Sequence, residues 1–168
     1  MKKLLTVFAL SAALGTSLFS HADDQADHHG LMITEAWSRV TTPGAKVGGG
    51  YLKITNHSDN DDHLESVASD HSAKAEVHSM VMQDDVMIMR PLEEGLAIPA
   101  GETVYLAPGG LHLMFMQLRQ PHVVGEPFDA TLSFKHAGEK TVSFEVLSMR
   151  DSMARETQSD DHAEEHKH

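Results

Sequence analysis

The chain has 168 residues and no cysteine, and its 25 acidic residues outnumber its 13 lysines and arginines, giving a net charge of −12. This length corresponds to one ordinary domain, and the lack of cysteine excludes thiol nucleophiles, thiolate metal sites and blue-copper centres. The acidic balance excludes nucleic acid as a partner, because phosphate binding needs a basic face, and it favours a soluble monomer that attracts cations. The chain also carries 13 histidines and 10 methionines, whose side chains bind soft or borderline metal ions.

Residues 1–22 have the pattern of a secretory signal peptide. Lys2 and Lys3 precede an apolar run from Leu4 to Phe19, and Ser20-His21-Ala22 provides small residues for cleavage near Ala22. We therefore expect an exported, periplasmic protein. The apolar run is short and no cysteine follows it, so we expect neither a membrane anchor nor a lipid anchor. The polar residues 23–30, which include His28 and His29, are predicted to be a flexible segment.

Residues 31–148 form the predicted domain. Its hydrophobic pattern has a period of two, and turns rich in Gly, Pro and Asp separate the alternating segments. This pattern predicts an all-β fold, an antiparallel sandwich or barrel, without a long amphipathic helix. In chain order the predicted strands lie at Met32–Trp37, Tyr51–Thr55, Ala75–His78, Val86–Met89, Thr103–Leu106, Leu111–Leu118, Ala130–Phe134 and Thr141–Leu147.

Several other residues receive structural rather than chemical interpretations. The glycine run at 48–50 lacks the Lys-Ser/Thr ending of a phosphate-binding loop, so it predicts a bulge or a close approach between strands. Trp37 is interpreted as a core anchor of the first strand. The remaining histidines of the domain lie near turns and are predicted to be surface residues; they are His57, His63, His71, His122 and His136.

Six methionines lie in two short segments, His78–Pro91 and Pro108–Met116, together with two histidines. Residues two apart on a strand share a face, so His112, Met114 and Met116 can point the same way. A turn near residues 83–85 would bring His78 back towards Met89. Methionine is also a common core residue, so core packing remains the alternative interpretation of each methionine taken alone.

A site of two histidines and two methionines favours Cu(I). The thioether is neutral and soft, and without an anionic ligand such a site would not neutralise Cu(II). Protons compete with copper for the imidazole nitrogens alone, so binding is expected to weaken in acid.

The segment from Ala36 to Leu147 resembles the periplasmic copper chaperone family known as PCu(A)C. The resemblance rests on His78, a methionine eleven residues later and a His-x-Met at 112–114, and on matching flanks such as Ala75–His78, Ile98–Gly101 and Pro108–Met114. It implies a cupredoxin-like β-sandwich of the Greek-key type. It also implies that His78, Met89, His112 and Met114 bind Cu(I).

The resemblance further implies a metallochaperone rather than an enzyme. Such a protein delivers copper to the apo-CuA domain of cytochrome c oxidase subunit II, alongside a Sco-type protein. Some family members carry methionine directly after the first histidine, where this chain has Ser79. Met80 and Met82 could compensate or simply pack, so both stay outside the predicted ligand set.

Residues 149–168 are predicted to be a flexible, acidic tail. Its possible ligands suit a second copper as Cu(II), and they are Met149, Met153, His162, His166 and His168. The alternative is a solvated tail that binds metals weakly. A second function therefore stays open, a copper or zinc buffer that uses this tail. A hydrolytic or oxidative enzyme has no supporting motif in the sequence.

Overall fold

The computed structural model describes residues 30–84 and 86–164. The predicted signal peptide, His28, His29, His166 and His168 lie outside these residues. Within them no helix is both long enough and apolar enough to cross a membrane. The elements are β1 (Leu31–Arg39), β2 (Val47–Asn56), β3 (Asp62–Ala68), β4 (Ser72–Gln83), β5 (Val86–Pro91), β6 (Leu96–Ile98), β7 (Thr103–Leu106), β8 (His112–Leu118), β9 (Phe128–Phe134), β10 (Gly138–Leu147) and α1 (Met149–Glu164).

The ten strands form one strongly curved sheet in the order β5-β4-β8-β2-β1-β10-β9-β3-β6, with β7 paired to β2. A further pairing of β4 with β3 closes the sheet around its core. β1 and β10 run parallel, and the other pairs among the described strands are antiparallel. This architecture confirms the predicted all-β, cupredoxin-like sandwich. The strands that matter most below are neighbours, β5-β4-β8-β2.

Alternation along the strands divides inner from outer side chains. The inner faces bury Leu52 and Ile54 of β2, Val77 of β4 and Leu113 of β8 in one hydrophobic core. Phe115, Phe128 and Phe144 meet in this core with ring centroids 5.2 to 5.7 Å apart. Each predicted strand falls on an observed strand, with Leu111 one residue before β8. β3 and β6 were not predicted, because β3 is rich in charged residues and β6 has only three residues.

The glycine run of β2 permits close packing rather than phosphate binding. A Cβ on Gly50 would lie 2.6 Å from Phe115 and 3.2 Å from Phe144. A Cβ on Gly48 would lie 2.6 Å from the His122 ring. The two distances of 2.6 Å are too short for a real Cβ atom. Glycine at these positions therefore lets aromatic rings lie directly on the strand.

Trp37 is buried, with 4% of its surface exposed, but it lies outside the main hydrophobic core. It is opposite Tyr51 of β2, and the two ring centroids are 4.4 Å apart. A register shift in β1 between Thr34 and Trp37, where Glu35 has a φ of 55°, precedes this pair. Trp37 is therefore a buried anchor of the first strand, as expected, and it packs on Tyr51 rather than within the main hydrophobic cluster.

The prediction of a flexible tail is wrong for residues 149–164, because these residues form the helix α1. Ser148 caps this helix, since its Oγ accepts a hydrogen bond from the Asp151 amide at 3.2 Å and donates one to the Asp151 carboxylate at 2.5 Å. Ion pairs tie the helix to the sheet, from Glu156 to Arg39 of β1 and from Arg155 to Glu145 of β10. The helix has no apolar stripe, so hydrophobic periodicity could not reveal it; the Ser-x-x-Asp spacing was the available signal.

His122 is also buried, contrary to the prediction of a surface residue. Its Nδ1 lies 2.7 Å from Ser38 Oγ, and that hydroxyl donates to the Gly49 carbonyl at 2.7 Å. Because its one proton is used there, the hydroxyl accepts a hydrogen bond from His122 Nδ1–H, so the neutral ring is the tautomer protonated at Nδ1. Burial, and secondarily the nearby His71, lower the pKa of His122 to about 4. The ring stacks on Phe128 with centroids 4.3 Å apart, so it serves as part of the packing.

The buried His122 predicts an acid-sensitive fold. The unfolded chain takes up this proton near the ordinary imidazole pKa of 6.5, whereas the folded chain does so only near pH 4. The contribution of the neutral His122 to the free energy of unfolding should therefore be fully present above pH 6.5, and it should be lost as the pH decreases from 6.5 to 4. Denaturant unfolding across this range should show a shallower pH dependence in His122→Gln than in wild type. The matched control is His57→Gln at an exposed position; an equal flattening there would contradict the assignment to His122.

The Ser148 cap predicts a local effect on α1. Ser148→Ala should weaken the helix by about 1 kcal/mol and speed amide exchange in its first turns about fivefold. Hydrogen exchange at residues 152–157 measures this directly. Ser143→Ala, which changes an exposed hydroxyl on β10, is the control. Exchange that accelerates equally in the core strands would show that the substitution acts on the whole fold.

Candidate metal centre

Two histidines lie directly opposite each other on the outer face of the sheet. His78 of β4 pairs with His112 of β8, and their ring centroids are 6.0 Å apart. Both are buried, with 9% and 5% of their surface exposed. The adjacent pair of Val77 and Leu113 points into the core, which turns the histidine pair outward. The histidine pair is the centre of the candidate site.

Both predicted methionines lie on the face that carries the histidines. Met114 follows His112 by two residues on β8 and is half-buried. Met89 of β5 lies opposite Met80, which follows His78 by two residues on β4. Side chains directly opposite in an antiparallel pair share a face, and diagonal neighbours are within reach of long side chains. The register thus places all four predicted ligands on one continuous surface.

A carboxylate that the sequence analysis did not single out belongs to the same surface. Glu76 precedes His78 by two residues and lies opposite Met114. Its Oε2 is 3.2 Å from His78 Nε2, and its Oε1 is 2.5 Å from the Lys74 ammonium. The bond from Lys74, helped by the bond from His78, lowers the pKa of the Glu76 carboxyl. The i−2 spacing on a strand was the signal that could have identified this residue.

Hydrogen bonds fix which nitrogen of each histidine is free. The ionised Glu76 can only accept, so His78 donates from Nε2, and its buried Nδ1 has no hydrogen-bond partner. The Gly110 carbonyl, 3.0 Å from His112 Nδ1, also only accepts, so His112 donates from Nδ1 and keeps its Nε2 lone pair. Each neutral ring therefore offers one unprotonated nitrogen. A carboxylate or carbonyl that holds the opposite nitrogen is the usual support of a metal-binding histidine.

This donor set suits a soft metal ion. It consists of two imidazole nitrogens and neutral thioethers, and the nearby carboxylate is already paired with Lys74. In the described part of the chain, no group of three or more histidine, aspartate or glutamate side chains could hold a metal ion. The methionines on the same face as His78 and His112 are the further soft donors that this candidate site offers.

An aromatic pair borders the site beside Met114. Gly49 of β2 lies opposite Met114, and a Cβ on Gly49 would be 2.9 Å from the Tyr51 hydroxyl. Tyr51 therefore lies over Gly49, and it packs against Trp37 on its other side. Burial raises the pKa of the Tyr51 phenol. The pair forms an uncharged wall on this side of the site.

The structure places the residues of the predicted tail site elsewhere. Met149 and Met153 are exposed and lie four residues apart on α1, where they share one side of the helix. His162 belongs to the last turns of α1, and His166 and His168 lie outside the described residues. The helix contacts β1 and β10, and β2 separates these strands from β8 in the sheet. The tail set therefore remains a separate prediction.

The hydrogen bonds predict defined tautomers in the metal-free protein. Nitrogen-detected NMR at neutral pH should find His78 protonated at Nε2 and His112 at Nδ1. Glu76→Gln should lower the fraction of His78 rings that are protonated at Nε2, because the amide is a weaker acceptor than a carboxylate. Glu102→Gln, an exposed carboxylate on a distant turn, is the control. A His78 ring that is protonated at Nδ1 in wild type would contradict the assigned roles.

Comparisons with known proteins agree with the fold. Residues 31–146 match the model of the LpqE-like family, described as "Putative lipoprotein LpqE-like". "Putative lipoprotein Lxx21020" of Leifsonia xyli subsp. xyli is 30% identical over 122 residues, which cover 73% of this chain and 71% of that protein.

Two solved structures have the same architecture. The copper-bound PCuAC domain from PmoF2 superposes with a TM-score of 0.59 at 24% identity, covering 70% of this chain and 92% of that domain. The CuI-DR1885 structure from Deinococcus radiodurans superposes with a TM-score of 0.52 at 27% identity, covering 66% and 74%. The fold is therefore that of PCuAC domains, and the chain belongs to the LpqE-like family.

Proposed function

We propose that this protein is a periplasmic copper metallochaperone that binds Cu(I) through His78, Met89, His112 and Met114. The observation that carries the proposal is the register of β4, β5 and β8, which gathers these four side chains on one face. Two solved proteins with this fold are named as copper-bound, one of them as the Cu(I) form. The family's description as a lipoprotein supports export.

The chemistry of the site supports Cu(I) as the cargo. Imidazole nitrogen and thioether sulfur bind a monovalent d¹⁰ ion without needing an anionic ligand. His78 would bind through Nδ1 and His112 through Nε2, since these nitrogens carry no proton. Glu76 would hold the far side of His78 and so increase its basicity. The negative charge of the chain attracts the cation from solution.

Release to a partner is the second part of the proposal. Met89 is 43% exposed, so an incoming ligand can replace it before the buried histidines let go. Stepwise replacement lets tight binding coexist with fast transfer. The proposed recipient is the apo-CuA domain of cytochrome c oxidase subunit II, with a Sco-type protein as a further partner. Ligand exchange of this kind is not catalysis of a covalent reaction, which fits a protein that is not an enzyme.

Cu(I) titration against a competing chelator tests the binding site. His112→Ala should weaken Cu(I) binding about 100-fold or more, because it removes a ligand nitrogen from a preformed site. His57→Ala, an exposed histidine far from the site, should have no effect. X-ray absorption of the loaded wild type should show both sulfur and nitrogen neighbours of copper. A first shell without sulfur would contradict the proposal.

The competing proposal is a copper or zinc buffer based on the tail. The triple variant His162→Ala, His166→Ala, His168→Ala separates the two functions. A chaperone should keep its Cu(I) affinity in this variant and still transfer copper to a purified apo-CuA domain, as followed by mass spectrometry. If Cu(I) affinity instead falls in the tail variant and survives in His112→Ala, the buffer is the correct function.

A further inference from the structure

The β4–β5 hairpin continues past the histidine pair and carries four methionines on one face. Met80 lies opposite Met89, and Met82 lies opposite Met87 near the hairpin turn. Residues two apart share a face, so these two pairs form a ladder on the same side as His78. None of the four belongs to the hydrophobic core or packs against it.

Exposure increases along this ladder away from the histidines. Met80 is half-buried, whereas Met82 and Met87 have 64% and 47% of their surface exposed. An exposed thioether gains nothing from core packing, which is the ordinary use of methionine. The exposed pair therefore lacks a packing explanation. Its neutral sulfur atoms are ligands for soft metal ions.

The geometry of the outer pair permits two sulfur atoms to meet one ion. Directly opposite residues have Cβ atoms about 4.5–5.5 Å apart, and methionine has three rotatable side-chain bonds with which to converge. The Arg90 cation of β5 alternates onto the other face, where it donates to Gln83 at 2.6 Å. The methionine face therefore presents thioethers without that positive charge. Asp84, with a φ of 51°, forms the exposed turn beyond them.

We propose that Met82 and Met87 form a second, weaker Cu(I) site at the end of the β4–β5 hairpin, from which the ion moves over Met80 and Met89 to the histidine pair. This inference rests on the proposed Cu(I) function. Two thioethers without imidazole bind Cu(I) less tightly than the inner ligand set, so the equilibrium favours inward movement. Met89 belongs to both the ladder and the inner site. Each step therefore exchanges one thioether for the next ligand, with no change in oxidation state.

NMR of the full chain with ¹³C-labelled methionine methyl groups tests the proposal, with Cu(I) added under anaerobic, reducing conditions. Below one equivalent, the methyl signals of Met89 and Met114 should shift. Above one equivalent, the signals of Met82 and Met87 should shift together. The double variant Met82→Leu, Met87→Leu keeps side-chain volume but should abolish this second phase. It should also slow Cu(I) uptake from a chelator complex several-fold in stopped-flow measurements.

Two matched variants serve as controls. Met32→Leu removes an exposed thioether from β1, and Val81→Leu, Ile88→Leu alters the opposed pair on the other face of the same hairpin. Both should keep the second phase and the wild-type uptake rate. If the Val81→Leu, Ile88→Leu variant also takes up Cu(I) more slowly, the shape of the hairpin explains the effect and the proposal is overturned.

The outcomes separate this proposal from the proposed function. If Met89 and Met114 respond while Met82 and Met87 stay unshifted at several equivalents, the outer site is wrong and the inner site stands. If Met89 and Met114 do not respond, the proposed function itself fails. If all four respond equally from the first addition, the two sites do not differ in affinity, and inward movement is contradicted.

Discussion

The register between β4 and β8 is the constraint on which the site depends. Val77 and Leu113 are opposite each other and both lie in the core, so the next pair, His78 and His112, must face outward together. A slip of one residue would turn the histidines into the apolar core and the core pair out of it, at the free-energy cost of both changes. The hydrophobic core therefore holds the proposed metal ligands in place although it contributes no ligand. The same register sets Glu76 opposite Met114.

The surroundings of the histidines determine what the site can bind. Glu76 does not offer a free anionic ligand, which would favour Cu(II), because its Oε1 is paired with Lys74 and its Oε2 with His78. In the proposed site the carboxylate would act on the metal through the His78 ring, and the remaining donors are neutral. Gly110 has the equivalent role for His112 through a backbone carbonyl. The Glu76 carboxylate and the Gly110 carbonyl thus each accept from one ring, which leaves one unprotonated nitrogen on His78 and one on His112.

Alternation made most of the fold predictable from the sequence, because a residue's face on a strand follows from its position. The same rule placed Met114 beside His112. It could not find α1, which is held by the Ser148 cap and by ion pairs, one of which joins Arg39 and Glu156 across more than one hundred positions of the chain. It also missed His122, whose burial depends on Gly48 leaving room for the ring. The pairing of Arg39 with Glu156 and the burial of His122 depend on tertiary packing and leave no local pattern, and the cap leaves only the Ser-x-x-Asp spacing.

The exposure of the methionines separates two uses of one residue type. Sequence spacing left Met80 and Met82 as either packing residues or spare ligands, and only the paired register, in which Met82 lies opposite Met87, distinguishes these roles. A methionine directly opposite another methionine on an exposed face gives two thioethers whose Cβ atoms lie at a separation that the backbone fixes. The histidines lie deeper and are nearly inaccessible. In the two proposed sites, the soft, exposed and weaker ligands therefore lie outside, and the stronger, buried ligands lie inside. This gradient would direct a soft cation inward. Met89 is the most exposed ligand of the inner site, so it would be the first that an acceptor protein replaces there.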